Sequence, residues 1–524
     1  MRTIPLRTKS KLSVVHTGKL KIGMIMLTCL LQACAPAKGH VGAKYLQETI
    51  NEDMQNVYKG DISDVLTLEE ALARGIKYNL DTKVAEYNER LAGDELSLER
   101  MNALPSITAK REFITRNNDG ASSSLSVLSG VQSLEPSIST DRHRLTALLE
   151  GNWNLLDASL SIARTHSASD KVAIAAERRR KVFHNVVQDI YSAYWRSVAA
   201  QETRPKIDAL LGDLKIEKDK IDQAMKSEAI GFGEAQAMKD NLIARQDQLQ
   251  AIREGLILAE IELKALIAMP PSTPIVLDTG GRDWLAPKNL PEVKLSIDDM
   301  ETLALLSRPE VREEVLNKRI SARNIKFAFL ETLPGLNLLA GANHDENRFL
   351  VDERWLSLTA TLTASLTKIL TLPARHRKAE NEQKLAEQRR LALLAAVMTQ
   401  VHVAKARLDF VSEQYDMVRE VEEHKKKILH RALSFEQVGL MGGAELMAAR
   451  IDHEVAGLNK VMSYVSAQEA FGQFLGTMGF DIWAQAKDDM NVEELAVVVK
   501  DGLSVFDKRS LDSLPGMPKG KDGA

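Results

Sequence analysis

Cys34 is the side chain whose setting most directly predicts covalent chemistry. It follows Leu31-Gln32-Ala33, behind a basic stretch (Arg2, Arg7, Lys9, Lys11, Lys19, Lys21) and a short apolar run from Ile22 to Leu31. A basic start, an apolar core and a small residue before a cut read as a secretory leader, and the run is far short of the roughly 20 residues that cross a bilayer as a helix. Elsewhere the chain lacks the spacings of catalysis: there is no HExxH, no CxxC and no phosphate-cradling glycine loop. His402, His424, His430 and His453 fall on helical stretches without metal-ligand partners at useful spacing, so surface or interface roles are expected for them. The reading is a chain with no cofactor, no metal and no enzymatic activity.

Leu31-Gln32-Ala33-Cys34 resembles a bacterial lipobox, and the resemblance implies cleavage before Cys34 and acylation of its thiol; an ordinary leader with a chance cysteine is the alternative. Cys29 lies in the part removed, so the mature chain, with its other cysteine blocked by lipid, could form no internal disulfide. Ala35 is not the aspartate that resembles an inner-membrane retention signal, which favours the outer membrane. A net charge of −3 with 27% charged residues argues against a nucleic-acid partner, which would draw a concentrated basic excess.

The elements that must carry any site come in two copies. Leu66-Thr67-Leu68-Glu69-Glu70 falls on Leu295-Ser296-Ile297-Asp298-Asp299 without a gap, and Leu104-Pro105 falls on Leu333-Pro334 at the same offset. Duplication at a fixed offset governs the fold and has to be settled first. Thr67 to Glu70 is a capping box opening a helix to about Asn102, stopped by Leu104-Pro105. Ile107 to Phe113 reads as a weak strand, and Asn117 to Arg142, dense in serine, asparagine and glycine, reads as irregular. In Leu145 to Leu155 one face takes Leu145, Ala147, Leu149, Gly151 and Trp153, with Leu148 spoiling the polar face. Trp355 to Thr367 alternates cleanly, with Leu356, Leu358, Ala360, Leu362, Ala364 and Leu366 opposite Ser357, Thr359, Thr361, Thr363, Ser365 and Thr367. That is the apolar-out, polar-in pattern of a transmembrane barrel strand, the alternative being a half-buried strand of a soluble sandwich.

Each strand pair feeds a helical stretch too long for a globular helix and suited to a coiled-coil-like assembly: Ser159 to about Ala229, with Pro205 expected to kink or break it, and Ala374 to about Gln437. Gly231-Phe232-Gly233 and Gly439-Leu440-Met441-Gly442-Gly443 interrupt the pattern where glycine lets the chain reverse, so each reads as a hairpin tip. The expected organisation is a leader (1–33), a lipidated, extended arm (34–64), a first repeat (65–268), a linker (269–294) with a possible short strand at Pro274 to Leu277, a second repeat (295–480) and a partly disordered tail (481–524). The runs Glu422 to Lys427 and Arg178-Arg179-Arg180 read as solvated helix faces, the first with a docking role as the alternative.

Leu66-Thr67-Leu68-Glu69-Glu70-Ala71-Leu72, Asn152-Trp153-Asn154-Leu155-Leu156-Asp157, Tyr191-Ser192-Ala193-Tyr194-Trp195 and Val438-Gly439-Leu440 together resemble the TolC-like outer membrane efflux proteins, over about residues 60 to 480 and in the family's order of elements. The resemblance implies an α+β membrane protein: long helical hairpins forming a periplasmic α-barrel, and four β-strands per chain contributing to a 12-stranded barrel shared by a homotrimer. It implies an exit duct for small molecules or polypeptides, in outer membrane lipid, coupled to a periplasmic adaptor and an inner-membrane pump. The tips Gly231, Phe232, Gly233, Gly439, Leu440, Gly442 and Gly443 would touch the adaptor. Acidic side chains after the second tip form an entrance ring in relatives, which points to Glu445 here, with Glu234 as its counterpart in the first copy and Ala448 where a second acid is often found. Both glutamates would also suit the positive end of a helix for structural reasons alone. A lipid-anchored periplasmic coiled-coil scaffold without channel activity is the rival reading.

Overall fold

The computed structural model describes residues 42–58, 65–281, 284–487 and 489–504. Cys34, the leader and the end of the tail lie outside the described residues. The chain divides into units 1–59 and 60–524. In the first, α1 (Ala43–Val57) is a helix where an extended arm was expected, because Leu46, Ile50 and Met54 recur every fourth residue and form an apolar stripe; none of its residues is buried.

The second unit opens with α2 (Leu68–Tyr78) and α3 (Leu80–Met101). The Thr67 hydroxyl accepts from the Glu70 N–H at 3.2 Å, as the capping motif predicts. The single helix expected here is two, because Asn79 takes an extended ψ and its Oδ1 accepts from Asp81 and Thr82, starting a second helix. The second copy breaks at Arg308, the equivalent position, between α6 (Ile297–Ser307) and α7 (Pro309–Leu330). There Pro309 enforces the break by its fixed φ and missing N–H.

β1 (Ser106–Thr115) is followed by a small pair, β2 (Ala121–Ser122) with β3 (Ser137–Ile138), inside the loop expected to be irregular; a Leu125–Gln132 bridge extends it. β4 (His143–Asn154), β5 (Gly335–Asp345) and β6 (Arg354–Thr363) join β1 in an antiparallel sheet of order β1-β4-β5-β6. The two copies are therefore joined through β4 and β5. β6 is shorter than its alternation suggested, because Ser365 caps the next helix by accepting from the Lys368 N–H at 3.4 Å. Asn154 does the same for Leu156 and Asp157 at the end of β4.

Those caps open α4 (Leu155–Lys226) and α8 (Leu366–Gln437), each of 72 residues and so about 110 Å long. They are followed by α5 (Phe232–Leu266) and α9 (Gly443–Met478). β1 and β5 begin at 106 and 335, an offset of 229, whereas α4 and α8 begin at 155 and 366, an offset of 211. The offset is thus constant only up to the first strand of each copy. The change falls in the strand-joining loops, 116–142 against 346–353.

Pro205 does not break α4, contrary to expectation, and α8 runs through Pro373 in the same way. Both rings are exposed, and buried Thr203 and Ile207 flank Pro205. Packing of the turns around Pro205 offsets the roughly 3 kcal/mol that an interior proline costs.

The core sits where α2 meets the middle of α4. Ala71, Leu72 and Ile76 pack with Val186, Ile190 and Tyr194, and a Cβ on Gly75 would come within 1.9 Å of Ile190 Cδ1, so glycine permits the approach. The Tyr194 hydroxyl is shared between the carbonyls of Leu66 (3.0 Å) and Asp278 (2.8 Å), beside a parallel Leu66–Leu277 bridge that stands where a short linker strand was expected. The tail is ordered further than expected: Ile482 and Trp483 are buried, and α10 (Val492–Ser504) packs on α2 through Leu495 and Val499.

Both copies end α4 and α8 alike, with Ala229 N–H donating to Ala224 O and Leu440 N–H to Phe435 O, both at 2.9 Å. The residue that must be left-handed is Glu228 (φ 58) in one and Gly439 (φ 74) in the other. After α5 and α9 the equivalent pair is Ala268 (φ 57) and Gly479 (φ 64). The first copy thus carries side chains at two positions where the second has glycine. Glu228→Gly and Ala268→Gly should each stabilise the fold by about 1 kcal/mol, read as a rise in denaturation midpoint, since an L-residue pays roughly that in this region. Gly479→Ala should do the reverse, because its Cβ would also lie 2.8 Å from the Arg308 backbone.

Candidate functional site

Residues directly opposite one another in an antiparallel sheet share a face. The register aligns Leu356 with Ala342, Ala342 with Leu149 and Leu149 with Ala109; it likewise aligns Leu358, Ala340, Gly151 and Ile107. One face is therefore apolar across all four strands. The other carries Thr108, Glu150, Asn152, Asn337, Asn343, Ser357, Thr359 and Thr361, with Ile114, Leu148, Leu339 and Trp355 as exceptions. Leu356, Leu358 and Leu362 are 85%, 79% and 70% exposed, so nothing among the described residues covers the apolar face there. The outer edges of β1 and β6 pair with no strand among the described residues. Unpaired edges beside a bare apolar face leave the described sheet without the partners such edges and faces ordinarily need.

The long helices show the same incompleteness. In α8, Val397, Val401, Leu408, Val411 and Tyr415 are spaced four, seven, three and four apart and are buried, and α9 is its main partner. A second stripe has Val403, Phe410 and Met417 seven apart, then Val421 and Ile428 seven apart, all exposed. In α3, Val84, Tyr87, Leu91, Leu98 and Met101 form another exposed stripe. By length and composition α8 is also apolar enough in one stretch to cross a bilayer.

At the other end of α4 and α8, the first reversal occupies 227–231, so the turn precedes the Gly231-Phe232-Gly233 centre read from sequence. Gly231 and Gly442 are the N-caps of α5 and α9, while Gly233 and Gly443 lie in their first turns. Phe232 and Leu440 are exposed at the tips. Glu234 and Glu445 are both exposed in the first turn and stand at equivalent positions, 211 apart.

A cluster behind the tips was not visible in the sequence. Asp452 of α9 takes Arg245 of α5 at 2.6 Å and Lys425 of α8 at 3.0 Å, tying the two hairpins together. Burial alone would raise the Asp452 carboxyl, but hydrogen bonds from Lys425 and Arg245 outweigh it and hold the group below its ordinary range. Glu422 meets Lys460 at 3.6 Å, so two charges of the 422–427 run are engaged within the chain. Arg178, Arg179 and Arg180 pair with Glu313, Glu89 and Asp481 at 2.7, 3.1 and 3.0 Å; Arg178 is exposed as expected, whereas Arg179 and Arg180 are half-buried. His402 Nε2 lies 2.8 Å from Glu301. Among the described residues no group of metal-ligating side chains converges.

No family model matches the chain, and no curated protein is significantly similar in sequence. Solved structures are similar in fold. The CmeC outer membrane channel of Campylobacter jejuni superposes with a TM-score of 0.61 at 14% identity, over 83% of this chain and 89% of that one. The open state of the MtrE outer membrane channel of Neisseria gonorrhoeae gives 0.60 at 16%, over 81% and 94%. The outer membrane protein VceC of Vibrio cholerae gives 0.58 at 14%, over 79% and 96%. The chain has the fold of these outer membrane proteins, long helices with a β-sheet that contributes to a barrel, as the TolC-like resemblance implied.

Proposed function

We propose that this chain is the outer membrane exit duct of a tripartite efflux or type I secretion system, anchored through a lipid on Cys34. The observation that carries this reading is the four-stranded sheet with one apolar face and two unpaired edges. Three copies supply twelve strands and close the barrel, the apolar face meets lipid, and the serine and threonine face lines the lumen. The exposed stripes of α3 and α8 find partners in the same assembly. No covalent step is required, so the energy for transport comes from an inner-membrane pump, reached through a periplasmic adaptor at the tips around Gly231, Phe232, Gly233, Gly439, Leu440, Gly442 and Gly443. Glu445, with Glu234, forms the entrance, and the Arg245–Asp452–Lys425 cluster holds it closed.

Ion conductance of the reconstituted chain in planar bilayers, together with a heat-modifiable band on a gel, tests the proposal. The rival, a lipid-anchored periplasmic scaffold, gives neither. Asp452→Ala should raise open probability about five-fold, because a half-exposed pair is worth about 1 kcal/mol. Glu445→Ala should instead lower cation preference while leaving open probability near the parent value. If Asp452→Ala conducts like the parent, that cluster is not the latch.

A further inference from the structure

On the bare face of the sheet, Arg111, Ala147, His344 and Arg354 stand in one row across the four strands. The next row toward the helices holds Leu149 and Leu356. A hollow of about 720 Å³ is lined by both rows and by the intervening Lys110, Leu148, Asn343 and Trp355; of the two rows, the one nearer the strand-joining loops is basic and the one nearer the helices is apolar. Arg111 and Arg354 are exposed and enter no ion pair among the described residues. His344 is half-buried; its Nδ1 donates to the Glu353 carbonyl at 3.2 Å, and its Nε2 is 3.9 Å from the Glu346 carboxylate, the acid it faces. Two uncompensated cations on an otherwise apolar surface are costly unless an anion meets them there.

We propose that this row binds the phosphate of an anionic lipid whose acyl chains lie on the apolar wall below it. The amphipathic order of the hollow, cations above and apolar side chains beneath, matches a phospholipid at the level where head group gives way to chain. The inference rests on the apolar face meeting the membrane. Chemically it asks for a phosphate monoanion or dianion held by guanidinium groups, which suit phosphate oxygens by their fork geometry.

The full chain is reconstituted in vesicles of phosphatidylcholine with a minor share of phosphatidylglycerol, extracted with its retained lipid, and the lipid identified by mass spectrometry. Phosphatidylglycerol should be enriched, and Arg111→Gln and Arg354→Gln should each reduce the enrichment about five-fold, the worth of one basic residue near an anionic surface. Lys384→Gln, exposed on α8 and outside the hollow, should leave it unchanged. Equal retention of the two lipids by a protein that inserts and conducts, or undiminished enrichment in the double variant, overturns the proposal. Displacement of phosphatidylglycerol by millimolar inorganic phosphate also overturns it, marking a free-anion site instead. Failure of the channel reading looks different: the protein does not insert at all.

Discussion

Leu358→Arg should abolish the inserted, conducting form. The side chain is 79% exposed on the apolar face and lies in the middle of β6, between Ser357 and Thr359 of the opposite face. An arginine at the midplane of a barrel's lipid face costs about 2–4 kcal/mol per copy, and every copy in a closed barrel carries it. Thr359→Arg is the control, one residue along and on the other face: the barrel should form, with conductance lowered and shifted toward anions. Heat modifiability and single-channel currents read both outcomes. Should Leu358→Arg insert as well as Thr359→Arg does, the assignment of the apolar face to lipid is wrong.

Phe410→Glu combined with Met417→Glu should leave the chain folded and monomeric. Both side chains are 64% exposed, lie one heptad apart and stand off the stripe that α8 turns toward α9. Adding two charges to an unpartnered stripe should cost the monomer less than about 0.5 kcal/mol, the usual scale for surface changes. Placed in an interface between copies, each carboxylate would be desolvated without a partner, at several kcal/mol. Mass from light scattering, with circular dichroism to verify the helices, separates the cases. Retained trimer mass would mean that this stripe is not the subunit contact.

The duplicated order was legible because local chemistry wrote it: Thr67 and Ser296 both cap, Leu104-Pro105 and Leu333-Pro334 both stop, and Leu356 to Thr363 alternates with a period only a strand satisfies. Where reading failed, a distant contact had decided the matter. Pro205 tells of a break, yet the turns around it are packed into the core. Arg179 and Arg180 are half-buried although they read as solvent-facing, because Glu89 and Asp481 lie far off in the chain, Arg180 and Asp481 being 301 residues apart. Arg245 and Asp452 are separated by 207 positions and no local pattern links them. The tip glycines were found, but the turn lay earlier in the first copy because Glu228 takes the left-handed conformation that glycine announces in the second.

That substitution has a mechanical consequence. In the proposed three-chain duct each subunit would bring two tips to the entrance, one turning on Glu228 and one on Gly439. The rim would then alternate between stiff and slack hinges around its circumference. A pull applied evenly by a surrounding collar would move every second leaf first, and the aperture would widen as a triangle before it widened as a circle.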